Sequence, residues 1–312
     1  MRGPAVAEPA CRQCGASPLR PRGAIPRGER FAGQPLDPGW DPGQLYECRR
    51  CGLGMRWPLR PDADYERLYQ RASDTVWVDG ALRRDQRLVH ERIHAAARPG
   101  SVLDVGCYDG ALLASLAPGW QRFGVEASRL AAQAARGKGI EILAERIADI
   151  AAIPRRFDVI TAVDVIEHVA DPKAFVAMLA DRLVPGGRLI LSTGSLDAPA
   201  WRWAGGGYWY CTVPEHLSFI SPGWAAAVAG ELGLALTDVQ RFQYRDDIAP
   251  DLLRARLRFF REVGASRLKA WLAARWPALL GHRLKCYSFG HPGLFADHVV
   301  LTLGRPVAAG GG

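Results

Sequence analysis

Three groups of residues have the types and spacing to do chemistry. The first is a repeated design, Cys11-Arg-Gln-Cys14-Gly15 and Cys48-Arg-Arg-Cys51-Gly52. Each C-x-x-C-G is a tight turn that aims two thiolates at one point while its glycine relieves the backbone. Two such turns supply four sulfurs, the tetrahedral set of a closed structural Zn2+ site. The rival is a redox C-x-x-C, which needs only one pair. Arg12, Arg49 and Arg50 stand beside these cysteines and either touch an anion or are solvated. The second group is Asp164, Glu167 and His168, two carboxylates and an imidazole within five positions. The third is Glu215-His216. A histidine whose ordinary pKa lies near neutrality is suited to taking a proton from a hydroxyl, and equally one can simply pin its segment to a core.

These groups need a frame, and Ser101 to Gly110, SVLDVGCYDG, provides its origin. Val102, Leu103 and Val105 suit a buried strand. Gly106, Gly110 and the apolar run Ala111 to Leu116 then read as a glycine turn feeding a helix. That is the first unit of a doubly wound α/β sheet, whose ligands bind beyond the carboxyl end of the strand. A dinucleotide fingerprint needs G-x-G-x-x-G. Here the pattern is D-x-G-x-x-x-G, with Tyr108 where a middle glycine would sit and Asp104 and Asp109 flanking the loop. Carboxylates there disfavour a phosphate and suit a cationic ligand.

At this point the chain resembles the class I S-adenosylmethionine (SAM)-dependent methyltransferases. Further motifs carry the resemblance in order: RFGVE ending at Glu126, FDVITAV from Phe157 to Val163, DVIEHV from Asp164 to Val169, and VPGGRLILS from Val184 to Ser192. The resemblance implies a seven-stranded Rossmann-like sheet with the last strand (296–303) antiparallel between the fifth and the sixth (234–242). It implies that Asp104, Gly106, Tyr108, Gly110, Glu126 and Asp164 place SAM, with Glu126 on the ribose hydroxyls. The residues past the third strand, Glu145 to Ile147, would line the adenine. The core is similar to ubiquinone-pathway O-methyltransferases, where a comparable acidic-plus-His segment can hold a divalent cation. On that comparison Asp164, Glu167 and His168 are candidate ligands of a metal that acidifies a hydroxyl; the alternative is that Glu167-His168 only orders its loop. In relatives the insert ending in Pro-Glu-His-Leu folds over the acceptor, so Trp201, Trp203, Tyr208, Trp209 and Tyr210 are candidate walls, and Tyr69 and Trp77 candidate covers of the cofactor. The expected helix after Asp171-Pro172 runs to Leu183. Helices are also expected over 64–70 and 82–97.

The resulting organisation is an α/β, doubly wound methyltransferase domain (99–306) carrying a zinc ribbon-like module (1–60) and a helical linker or cap (61–98). Residues 196–225 form a substrate-side insert, 249–290 a basic helical insertion and 307–312 a disordered tail. With 312 residues and 48% hydrophobic content, global disorder is excluded. No apolar run reaches the roughly 18 residues of a spanning helix. The start, MRGPAVAEPA, lacks an apolar signal core, and seven cysteines, four of them in C-x-x-C pairs, favour a reducing cytoplasm.

Between Ala249 and Cys286 nine Lys or Arg oppose two acids, nearly accounting for the chain's +8. Leu253, Leu257 and Phe260 recur there at helical spacing. Such a helix either lies on an anionic membrane surface, grips an anionic acceptor, or carries solvated arginines. The functional expectation is methyl transfer to a small-molecule or carbohydrate-like acceptor, most directly on a hydroxyl oxygen, with His216 or the Glu167-His168 pair as base. The rivals are a zinc-headed RNA methyltransferase and a non-catalytic scaffold. Against RNA, the segment after strand four reads Asp-Val-Ile-Glu, not an Asn/Asp-Pro-Pro-aromatic base-stacking motif.

Overall fold

The computed structural model describes residues 9–37, 39–70, 82–95, 98–244, 252–275 and 288–307. Trp77, Arg283, Lys285 and the segment 308–312 lie outside them. The chain begins with the first cysteine turn, then forms β1 (Arg20–Ala24), a short hairpin of β2 (Arg30–Phe31) and β3 (Gln34–Pro35), β4 (Gln44–Glu47), the second cysteine turn and β5 (Gly54–Trp57). The stretch between Cys14 and Cys48 is therefore strand as well as loop. Two helices follow, α1 (Asp62–Gln70) and α2 (Arg84–His94). The buried side of α2 is Asp85, Val89 and Ile93, one residue every four, so a polar residue shares its inner stripe.

The main sheet then winds. β6 (Ser101–Val105) is buried along its whole length, as a central parallel strand must be when helices cover both faces. After it come α3 (Ala111–Ala114), β7 (Gln121–Val125), α4 (Arg129–Gly137), β8 (Glu141–Ala144), β9 (Phe157–Val163), α5 (Pro172–Ala180) and β10 (Leu183–Gly194). Asp171 caps α5 by accepting from Ala174 N, with Pro172 in the first turn. The helix stops at Ala180, not Leu183. Leu183 already pairs with Phe157 of β9, and Pro185-Gly186-Gly187 lies inside β10 as a bulge rather than as the helix breaker.

The remaining elements are α6 (Pro199–Ala204), β11 (Ser218–Phe219), α7 (Pro222–Glu231), β12 (Ala235–Phe242), α8 (Leu252–Arg275) and β13 (His298–Gly304). The seven-stranded order is β12-β13-β10-β9-β6-β7-β8, with β13 antiparallel to both β10 and β12. The expected doubly wound topology is thus present.

A second sheet, β1-β4-β5-β11, joins the N-terminal strands to a distant part of the sequence: Ser218 pairs with Met55 and Phe219 with Gly54. Its fourth strand comes from within residues 196–225, and Cys11, Cys48, Leu53 and Met55 share one apolar core with Ile220, Trp224 and the main sheet. Among the described residues no helix is long and apolar enough to cross a membrane.

Candidate active site and cysteine centre

The glycine loop is built at the carboxyl end of β6. Gly106 has φ 74°, and an added Cβ would lie 2.8 Å from Val165 Cγ2, so the turn has room for glycine alone. The N–H groups of Gly106 and Cys107 both donate to Val125 O at the end of β7, at 2.8 and 3.2 Å. Tyr108 also takes a positive φ, 48°, and its N–H donates to Glu126 Oε2 at 2.9 Å. Glu126 Oε1 accepts from Ser128 N at 2.7 Å. The acid at the tip of the second strand thus holds the loop before it holds any ligand. Burial raises its carboxyl, against the pull of those N–H groups.

Asp104 is buried beneath the loop and accepts from Thr161 Oγ1 at 2.6 Å. Burial pushes its carboxyl up to about 7, the Thr161 hydrogen bond opposing and Glu126 adding to the rise. Asp164 stands in another strained position, with φ 52°. Its Oδ2 receives Arg83 at 3.0 Å and Tyr244 Oη at 3.2 Å. Arg83 also reaches Asp85 at 2.9 Å. Burial and the neighbouring Asp85 raise the Asp164 carboxyl while Arg83 lowers it. Its other oxygen, Oδ1, is buried with no partner among the described residues. Three carboxylates around a glycine turn, one with an orphaned acceptor, fit a ligand that carries positive charge and hydrogen-bond donors. Asp109, by contrast, pairs outward with Lys138.

Beside the loop lies a second cluster, and its membership differs from the expected one. Glu167, His168 and His216 each offer a ligand atom within 4.8 Å of the others. Asp164 is not among them; its Oδ2 is bonded by Arg83 and Tyr244. His216 arrives instead from the insert, its ring set edge-on to His168 with centroids 5.0 Å apart. Glu167 is buried; its Oε2 accepts from Thr193 Oγ1 at 2.9 Å and its Oε1 from Tyr210 Oη. His168 Nδ1 lies 2.9 Å from Tyr69 Oη, so Tyr69 reaches the post-strand segment. His216 is buried, with Nδ1 2.9 Å from Tyr210 O. Burial first, and His168 next, hold its pKa well below the ordinary 6.5. The donor set would accept a divalent cation.

The aromatic insert divides. Trp201 and Tyr208 are fully buried and stacked at 5.4 Å, so they are core rather than walls. Tyr210 sits between His216 and His298, at 4.2 and 5.1 Å. Trp203 faces away, under the Arg267 guanidinium at 4.6 Å. Glu215, next to the candidate base, accepts from Ala32 N and so ties the β2–β3 hairpin to the insert. Cys107 and Cys211 are buried, and burial raises both thiols, Cys211 to about 12.

The four cysteines converge. Cys11 and Cys51 Sγ are 3.6 Å apart, as are Cys14 and Cys48, and all four lie within 4.8 Å of one another. A tetrahedron of sulfurs about 2.3 Å from a zinc ion has edges of about 3.8 Å, whereas a disulfide requires about 2.05 Å. The set therefore fits zinc and not two disulfides. Arg12 is neither solvated nor an anion contact: it donates to Leu217 O at 2.9 Å and Ser218 Oγ at 3.2 Å. Arg49 and Arg50 are exposed.

Sequence reasoning missed Arg56, which is buried on β5 and donates to His216 O at 2.9 Å, Pro42 O at 2.7 Å, Cys211 O at 2.6 Å and Val213 O at 2.8 Å. It missed Arg83, Asp85 and Tyr244 as well. No motif surrounds any of them; a lone arginine inside an apolar strand is the one signal that Arg56 offered.

Residues 81–239 match a family model described as a methyltransferase domain. The ubiquinone biosynthesis O-methyltransferase of Xanthomonas euvesicatoria pv. vesicatoria is 34% identical over 176 residues, covering 52% of this chain and 72% of its own. That of Thiobacillus denitrificans is 33% identical over 157 residues, covering 46% and 68%. A solved 1,6-didemethyltoxoflavin-N1-methyltransferase from Burkholderia thailandensis, with bound S-adenosylhomocysteine, aligns over 81% of this chain and 96% of its own at 17% identity and a TM-score of 0.48. On the family match and on relatives that align across most of their own length, the chain belongs to the class I SAM-dependent methyltransferases.

Proposed function

We propose that this enzyme methylates a hydroxyl oxygen of a small-molecule or carbohydrate-like acceptor, with His216 Nε2 as the proton acceptor. The observation that carries the proposal is the 2.9 Å contact from His216 Nδ1 to Tyr210 O. A carbonyl oxygen only accepts, so this contact assigns the hydrogen to Nδ1 and leaves the lone pair on Nε2. Burial keeps the free ring neutral with that lone pair available. It also makes the ring a weaker base, so the Glu167 carboxylate within 4.8 Å is the group that would stabilise the imidazolium formed. The names of the relatives, O-methyltransferases, support oxygen as the acceptor atom.

Asp104, Gly106, Tyr108, Gly110, Glu126 and Asp164 would hold SAM, which when bound supplies a methyl group already activated on a sulfonium. The chain's own task is then to orient the acceptor and remove its proton. Arg56, bonded to the His216 carbonyl, and Tyr210, bonded to its ring, fix where Nε2 points. Glu167, held by Tyr210 and Thr193, and His168, held by Tyr69, complete the polar wall. Cys11, Cys14, Cys48 and Cys51 would hold a structural Zn2+. With four sulfurs the site is closed and leaves no position for a substrate.

The test is transfer from labelled SAM to phenolic and sugar hydroxyl acceptors by wild type, His216→Ala and Glu167→Gln. Loss of His216 should lower kcat by about 10²- to 10⁴-fold with cofactor affinity retained. Unchanged kcat would remove His216 as base.

A second reading is favoured by the convergence of Glu167, His168 and His216 within 4.8 Å: these three, rather than Asp164 with the first two, hold a divalent cation that polarises the hydroxyl. Activity lost to a chelator and regained with Mg2+ or Mn2+, while the cysteine-bound zinc stays in place, would favour it over the free base.

A further inference from the structure

Helix α8 buries one apolar side against the described residues and leaves a second largely exposed. Phe259 and Val263 are buried, Phe259 against Tyr208 and Phe295. On another face Leu253, Leu257, Phe260, Leu268 and Trp271 are 44 to 71% exposed. At about 100° per residue these five fall within about 80° of one another, a single stripe along the helix, with Gly264 in the same line. Single exposed apolar side chains are ordinary; five in register on one element are not.

The residues around the stripe are cationic. Helix α8 carries Arg254, Arg256, Arg258, Arg261, Arg267, Lys269 and Arg275 against one acid, Glu262. By helical position Arg254, Arg258, Arg261 and Lys269 flank one edge of the stripe. Arg256 and Arg267 flank the other, where they also anchor the helix, to Leu294 O at 3.0 Å and Trp203 O at 3.1 Å. The exposed Trp203, beneath Arg267, extends the apolar strip on that side.

We infer that α8 docks the enzyme on an anionic lipid surface, lying in its plane. An apolar stripe edged by cations is the pattern that buries side chains at the acyl boundary while placing guanidinium and ammonium groups among anionic headgroups. The charge argues against a second copy of this chain as occupant: two-fold pairing of α8 would oppose seven cations to seven, with one acid on each side to offset them. It argues less well for nucleic acid, because the stripe's centre would lie dry against phosphates. The inference is independent of the acceptor proposed above, since it concerns a different face of the molecule.

The experiment is co-sedimentation of the full chain with vesicles of phosphatidylcholine alone and of phosphatidylcholine with phosphatidylglycerol. Two variants accompany it, Leu257→Ser/Leu268→Ser, which keeps the charge, and Arg258→Gln/Arg261→Gln/Lys269→Gln, which keeps the stripe. All five positions are exposed, and retained SAM binding reports an intact fold. Wild type should bind the anionic vesicles at least tenfold more tightly than neutral ones, lose most binding in high salt, and be weakened by either variant. No binding to anionic vesicles, or binding that neither variant changes, overturns the inference. So does lipid-free, concentration-dependent dimerisation that the Leu257→Ser/Leu268→Ser variant abolishes.

Discussion

Replacing Asp104 with Asn should change how the stability of the cofactor-free enzyme depends on pH. In an unfolded chain an aspartate titrates near about 3.9. In the folded enzyme burial pushes Asp104 to about 7, so the native state holds a proton that the unfolded state has lost. Between those two values each added pH unit therefore subtracts stability from the wild type, by about 1.4 kcal/mol. The stabilising preference for the neutral acid is complete below the unfolded pKa and is lost as pH rises through the folded one. Asparagine has the same shape, stays neutral, and can still pair with the Thr161 hydroxyl that now bonds Asp104. From about pH 5.5 to about pH 7 the variant should gain roughly 2 kcal/mol on the wild type, and the difference should then level off. The assay is urea unfolding of both proteins, zinc-loaded and without SAM, across that window, checked by thermal melts in which the gap should reach a few degrees. On the proposed placement the same substitution should weaken SAM binding, and wild type should release a proton on binding near pH 6.5, seen as a buffer-dependent heat. A wild type-to-variant difference that is the same at every pH would mean Asp104 is ionised throughout, and the reasoning from burial would be wrong.

Two other outcomes bear on the N-terminal sheet. Arg56→Lys should cost about 3 kcal/mol in denaturant unfolding and lower kcat, because one ammonium cannot reach the four carbonyls that the guanidinium spans; a loss under about 0.5 kcal/mol, the range of an ordinary surface change, would deny Arg56 that role. Elemental analysis should find one zinc per chain, and Cys48→Ser should abolish it and lower the melting temperature, since Cys11 and Cys48 lie in the core shared with the main sheet; a metal-free wild type as stable as the loaded one would remove zinc from the fold.

The sequence alone determined what depends on neighbours in the chain. The buried run of β6, its glycine turn, the acid after β7, the cap at Asp171 and the two cysteine turns are short-range patterns, and each appears where its residues predict it. The sheet order followed from resemblance to a known topology. Tertiary structure decided which of those chemical groups share a site. Arg83 reaches Asp164 across 81 positions, and Asp164 stands outside the Glu167-His168 cluster. The insert brings His216 into that cluster, anchored by Arg56 from 160 positions away. Local spacing says which residues share a face, as it did for Leu253, Leu257 and Phe260. It does not say which face meets the core, and in α8 that face belongs to Phe259 and Val263. The reason is physical: periodicity is a property of one element, whereas a buried charge or a lone pair takes its partner from whatever element the packing brings within hydrogen-bond reach.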